Sequence, residues 1–155
     1  MITHYFLDTS ALVKYYHTEL GTDNVAKLIE EVNNNVVISK ISILEFHSQY
    51  AKKVRDTSYP TFNVDGFQKV CGLLCYHIVS GKYNVIELPS DFVFRATDLI
   101  RDHGCTCNLR HMDAIQISSY LDYLRLISNT VFVASDKKLL DFVSLLGFKC
   151  YDPET

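Results

Sequence analysis

The chain contains no tryptophan, only three prolines and only six glycines in 155 residues. So few turn-formers argue against a fold of many tight hairpins, because hairpin corners draw on Gly, Asn and Pro. Nor is there a strong excess of either charge: 15 Lys and Arg face 18 Asp and Glu, a formal net charge of −3. Dedicated nucleic-acid binders usually show a marked basic excess, so the bulk count disfavours that class. No apolar run approaches the length of a membrane-spanning helix. The opening residues, MITHYFLDTS, lack a basic stretch followed by a long apolar one. A secretory leader is therefore not expected, and a cytoplasmic protein with no membrane partner is. The five cysteines show no paired spacing and read as reduced thiols rather than a disulfide framework.

What remains is an ordinary globular composition, 48% apolar and 21% charged, with 10 Tyr and 9 Phe to fill a core. The length suits one domain, expected to span residues 1–155. Strands are expected at HYFL (4–7), VVIS (36–39), VIEL (85–88), TVFVAS (130–135) and FKCYD (148–152). Helical periodicity fills the intervals: 11–17, 25–32, 42–53, 67–79, 91–104, 109–125 and 137–147. Ser90 or Asp91 is expected to cap the fifth of these and Gly104 to end it. Strands alternating with helices imply βαβ units, hence a parallel sheet with helices on both faces.

Open α/β sheets bind ligands at the carboxyl ends of their strands. Asp8 follows the first strand, Asp136 the fourth, and Glu45 comes soon after the second. Taken singly, each has a bland explanation. Asp is a favoured helix N-cap, worth ~1 kcal/mol. Ser42-Ile43-Leu44-Glu45 fits a capping box in which Glu45 reaches back to the Ser42 amide. Asp113 is harder to dismiss. It borders an apolar stripe of Ala114, Ile117, Leu121 and Leu124, where a carboxylate needs a partner. Arg110, three residues earlier, can pair with it for a few tenths of a kcal/mol. A metal ion is a stronger reason. Clustered carboxylates repel one another and call for a cation, and oxygen-only ligands select Mg²⁺ or Mn²⁺ over zinc. Such ions suit phosphodiester hydrolysis. Setting these four aside leaves 14 acids against 15 bases, so nucleic acid is no longer disfavoured. Lys14 follows the first acid and Lys137 the last. Both are candidates to hold substrate phosphates, with Tyr15, Tyr16 and Lys138 beside them.

The segments FLDTSALVKYYHTELGTDNV, SILEF, LRHMDAIQISSYL and FVASDKKLLDFVSLLGFKCYDPE, in that order, resemble the landmarks of PIN-domain proteins, especially VapC-like toxins of toxin–antitoxin modules. Each carries one of the four acids, and together they span nearly the whole chain. The resemblance implies a three-layer α-β-α domain with a central, mostly parallel five-stranded sheet. It implies a Mg²⁺- or Mn²⁺-dependent ribonuclease in which Asp8, Glu45, Asp113 and Asp136 hold the metal and a metal-activated water attacks RNA. Ser10, two residues after the first acid, would serve at the site through its hydroxyl. An antitoxin protein and a second copy of the chain are the partners the resemblance implies. Where many relatives have Ser or Thr two residues before the last acid, this chain has Ala134.

Rival readings are weaker. His103, Cys105, Cys107 and His111 lack zinc-site spacing. No P-loop pattern is present, and Asp-x-Asp, the mark of one phosphatase class, is broken by Ser10. A signalling receiver would share the strand-end acids but needs neither Glu45 nor Asp113. A PIN-like module that binds without cutting is the other alternative.

Overall fold

The computed structural model describes residues 2–155. The strands are β1 (Thr3–Leu7), β2 (Asn34–Ser39), β3 (Asn84–Ile86), β4 (Thr130–Val133) and β5 (Cys150–Tyr151). The helices are α1 (Thr9–Leu12, followed by a 3₁₀ turn at Val13–Tyr15), α2 (Thr22–Glu30), α3 (Lys40–Arg55), α4 (Val64–Val79), α5 (Phe92–Cys107), α6 (His111–Leu126) and α7 (Lys137–Leu145). The strands form one sheet in the order β3-β2-β1-β4-β5, and every neighbouring pair is parallel. The expected α/β class and five-stranded sheet are therefore present. A receiver-like order, 2-1-3-4-5, is not.

The three layers follow from the two-residue period of the strands. Leu7, Val36, Ile38 and Val133 point to one face, where α1 to α4 supply Leu12, Val25, Phe46, Tyr50 and Leu74. Phe6, Val37, Phe132 and Ala134 point to the other, against Ile117 and Tyr120 of α6 and Leu140 and Val143 of α7. Because both faces are covered, the central strands read as continuous apolar runs rather than alternating ones. Residues 54–84, which carry no recognisable motif, contribute α4 and the Phe62, Phe67 and Cys71 side chains to the first face.

Some boundaries differ from expectation. α5 runs through Gly104 to Cys107 and is ended by Asn108, which adopts the left-handed region at φ 50°. Asn tolerates that conformation because its short side chain can bond locally. Asp91 does not cap α5; its carboxylate takes Arg95 Nε at 2.7 Å instead. The C-terminal segment folds back against the start of α2. Gly21, at φ 87°, is pressed so close to Pro153 that a β-carbon there would lie 2.9 Å from the Pro153 carbonyl oxygen. Only glycine meets both demands.

Candidate active site

The chain winds outward from β1 through β2 to β3, then crosses to β4 and β5 on the other side. The strand order thus reverses between β1 and β4, the place where parallel sheets open a crevice at their carboxyl ends. Asp8 and Asp136 follow those two strands. The Asp8 amide donates to the Val133 carbonyl at 2.9 Å, closing the strand ends together.

Asp8 and Asp136 are indeed helix caps. Asp8 Oδ2 accepts from the Ser10 amide at 2.8 Å and the Ser10 hydroxyl at 2.6 Å. Asp136 Oδ1 accepts from the amides of Lys138 and Leu139. Capping engages one oxygen of each carboxylate and so does not exclude a second role for the other. Glu45 is different. The cap of α3 is Ser39, whose hydroxyl accepts from the Ser42 amide. The capping box expected of Glu45 does not form. Its Oε2 instead accepts from the Thr9 hydroxyl at 2.7 Å and the Gln116 amide at 3.1 Å. Asp113 sits in the first turn of α6, 15% exposed at its side chain.

The electrostatics record how the acids meet. Asp8 is 6% exposed, and burial pushes its carboxyl up from the ordinary 3.8 to about 6. The Ser10 hydroxyl and amide pull it back, while the charges of Glu45 and Asp113 push it further up. Arg110 supplies the positive charge at the mouth. Its guanidinium forks onto Asp113, at 2.9 and 3.3 Å, and reaches Asp136 at 3.1 Å. Among the described residues no three His, Cys, Asp or Glu side chains stand close enough to enclose an ion as they are. Asp113 and Asp136 face Arg110 in this arrangement.

The donor set nonetheless suits a hard divalent cation. It is all oxygen, it places a buried carboxylate among like charges, and its positive partner is a guanidinium that remains 65% exposed. The Ser135 hydroxyl, next to Asp136, is buried without a hydrogen-bond partner.

The other sequence-derived candidates divide. Lys137 is exposed at the start of α7 and lines a cavity of about 430 Å³ that also includes Asp113 and Asp136. Ser10 is committed inside: its hydroxyl donates to Asp8 and accepts from the Ser135 amide at 3.0 Å. That ties the two strand ends together and leaves no proton free for a substrate. Lys14 is buried, and its ammonium bonds Glu154 at 2.7 Å and the Leu20 carbonyl at 2.9 Å. None of its partners belongs to the acid cluster, and it serves to hold the C-terminal segment. Tyr15 bonds Glu30 and Lys82, and Tyr16 bonds His77 and Tyr83, so neither hydroxyl reaches the acids. Sequence reading missed Gln116. It is 1% exposed, its carbonyl oxygen accepts from Ser39, and its amide nitrogen lies within 3.1 Å of Thr9, Ser42 and Glu45. A signal was present: Gln116 follows Asp113 by one helical turn and stands one and two turns before Tyr120 and Tyr123, on a buried aromatic side of α6 where an amide must find partners.

A PIN-domain profile matches residues 5–141. The chain belongs to the PIN-domain family. No curated protein matches the sequence of this PIN domain. In fold it is similar to VapC20 of Mycobacterium tuberculosis, described as a toxin that cleaves the sarcin–ricin loop. The TM-score is 0.66 at 14% identity, over 93% of this chain and 95% of that one. It is also similar to VapBC2 of Rickettsia felis, solved with a DNA fragment from the promoter, at TM-score 0.58 and 17% identity over 97% and 98% of the chains. The protein PAE2754 of Pyrobaculum aerophilum aligns at TM-score 0.54 and 20% identity over 99% and 92%. No helix among the described residues is long and apolar enough to cross a membrane.

Proposed function

We propose that this PIN domain is a metal-dependent endoribonuclease acting as the toxin of a toxin–antitoxin module. In this reading Asp8, Glu45, Asp113 and Asp136 hold Mg²⁺ or Mn²⁺. The observation that carries it is the buried Asp8 carboxylate at the strand-order reversal, raised by burial and by the charges of Glu45 and Asp113. A structural cap does not need three further acids nearby, and a cation does.

Bound there, a divalent ion supplies an activated water and a clamp for the leaving oxygen. The chain's own residues prepare the site. Ser10 fixes one oxygen of Asp8, and Thr9 and Gln116 fix one oxygen of Glu45. Each carboxylate therefore keeps its second oxygen available in a set orientation, and that preorganisation lowers the cost of assembling the ligands. Arg110 neutralises Asp113 and Asp136 until the cation arrives, and is free thereafter to meet a phosphate. The whole chain acts as one domain. The similar VapBC structures support a partner antitoxin, and a homodimer in the cytoplasm completes the reading.

The test is cleavage of total cellular RNA by wild type and Asp113→Asn, with Mg²⁺, Mn²⁺ or EDTA. Wild type cuts with either metal and stops in EDTA, and Asp113→Asn loses at least a hundredfold in rate. Cleavage that survives the substitution or persists in EDTA overturns the mechanism. Metal binding without any cleavage supports the inert-module alternative.

A further inference from the structure

One buried polar network joins the elements that carry three of the four acids. Thr9 lies next to Asp8 at the start of α1, Ser42 one turn before Glu45 on α3, and Gln116 one turn after Asp113 on α6. Ser39, the last residue of β2 and the cap of α3, completes it. All four are buried. Other buried serines behave differently: Ser118 and Ser119 return their hydroxyls to the Ile115 carbonyl of their own helix.

Donor and acceptor capacities assign the protons of this network. Three oxygens crowd one end of the Gln116 carboxamide: Ser42 at 2.9 Å, Thr9 at 3.1 Å and Glu45 Oε2 at 3.1 Å. A carboxylate oxygen only accepts, so the amide nitrogen faces that end. The carbonyl oxygen then faces Ser39, whose hydroxyl donates to it at 2.7 Å. With that proton committed, the Ser42 hydroxyl donates to Ser39 at 3.1 Å and accepts from the amide, which closes a ring of hydrogen bonds. The Thr9 proton goes to Glu45 Oε2 at 2.7 Å. A reversed carboxamide would bring its oxygen against the Glu45 carboxylate and leave the Ser39 proton without its acceptor. Ser39 thus sets which way the amide points, while its own hydroxyl bonds only Ser42 and Gln116 among the described residues.

Directed hydrogen bonds in a dry interior polarise one another and resist distortion. That stiffness bears on the choice of ion. Mg²⁺ demands near-octahedral oxygens at about 2.0–2.1 Å, whereas Ca²⁺ accepts more ligands at about 2.3–2.6 Å in flexible geometry. Carboxylates held at a fixed spacing therefore favour the smaller ion, and loosened ones lose that preference.

We propose that Ser39 and Gln116 are positioning residues: through Thr9 and Ser42 they fix the spacing of Asp8, Glu45 and Asp113, and so make the site select Mg²⁺ over Ca²⁺. This rests on the metal-site reading and adds what holds the ligands and which ion size they suit.

The test uses the full chain and the two metals alone, by calorimetric titration, with RNA cleavage measured alongside. Ser39→Gly removes the hydroxyl and leaves a residue that caps a helix nearly as well. Gln116→Leu removes the carboxamide. Ser119→Ala, at a buried position of the same helix α6, is the control. Thermal melts show whether each is folded at the titration temperature. Both network variants are expected to weaken Mg²⁺ binding about tenfold, within the range of about 10–100-fold seen when a residue that orients a ligand is lost. Ca²⁺ binding should weaken less than about threefold, because its coordination is more flexible. The Mg²⁺ concentration for half-maximal cleavage should rise about as much as the dissociation constant, with KM for RNA held within about twofold. Since the two residues act as one unit, the double variant should bind Mg²⁺ no more weakly than Gln116→Leu. The control should stay within about twofold of wild type for both ions. Equal losses for Mg²⁺ and Ca²⁺ overturn the proposal, as do network variants that match the control or a wild type that prefers Ca²⁺. If Gln116→Leu does not fold, Ser39→Gly decides alone. A wild type that binds Mg²⁺ no better than Asp113→Asn overturns the metal-site reading itself. A wild type that binds at the acids and cuts RNA, while both variants keep its ion preference, overturns only the positioning role.

Discussion

Replacing Asp8 with Asn isolates the electrostatic strain of the empty site. The native carboxyl titrates at about 6 in the folded chain against an ordinary 3.8. A shift of about two units corresponds to about 3 kcal/mol between the two protonation states. Its sign is destabilising. Between pH 3.8 and 6 the folded state binds the proton more tightly than the unfolded state, so stability falls as pH rises through that window. Below it the term is absent, and above it the term is fully developed. Asparagine keeps the cap acceptor for the Ser10 amide and carries no charge. Asp8→Asn should therefore exceed wild type by about 1–3 kcal/mol at pH 7.5 in EDTA, roughly 3–10 °C in melting temperature for a chain of this size. Near pH 4 the two proteins should converge. Urea unfolding at both pH values measures this directly. With Mn²⁺ added, wild type should recover stability through binding linkage and Asp8→Asn should not. A variant no more stable than wild type at pH 7.5, or one with the same advantage at both pH values, would refute the strained-carboxylate account.

Gln116→Leu leaves the Ser39, Ser42 and Thr9 hydroxyls and Glu45 short of a buried partner, and should cost about 2–4 kcal/mol in urea unfolding. A loss below 1 kcal/mol would show that these groups re-pair among themselves. Arg110→Gln removes the guanidinium that competes for Asp113 and Asp136. Because that side chain is largely exposed, stability should change by under about 1 kcal/mol. Calorimetric titration should show Mn²⁺ binding about two- to fivefold more tightly, and weaker binding would mean that Arg110 organises the ligands instead of occupying them.

Much of this molecule was legible as a string because the signals are local. A strand shows in a few β-branched residues and a helix in a 3.6-residue period, so the alternation of elements could be read directly. Asp8 and Asp136 could be placed at strand ends for the same reason, and the family landmarks each lie within one element and its turn. Gly104 misled, because glycine lowers helix propensity by only about 1 kcal/mol and packing on α6 overrides that. What pairs residues distant in the chain was not legible. Strand order placed the reversal between β1 and β4, and nothing in either strand says which neighbour it will take. Glu45 lost its expected cap because Ser39 took the role and because Thr9 and Gln116, 36 and 71 positions away, took its oxygen. Lys14 left the site because Glu154, 140 positions on, neutralises it inside the fold. Arg110 was visible as a partner for Asp113 one turn along, but its reach to Asp136 depends on α6 and α7 meeting at one sheet edge. Sequence by itself determined which elements form and which acids stand at their ends, since those follow from periodicity and capping. Tertiary structure alone decided which of those charges meet, because electrostatic pairing depends on distance in space, and the crossover of the chain sets that distance.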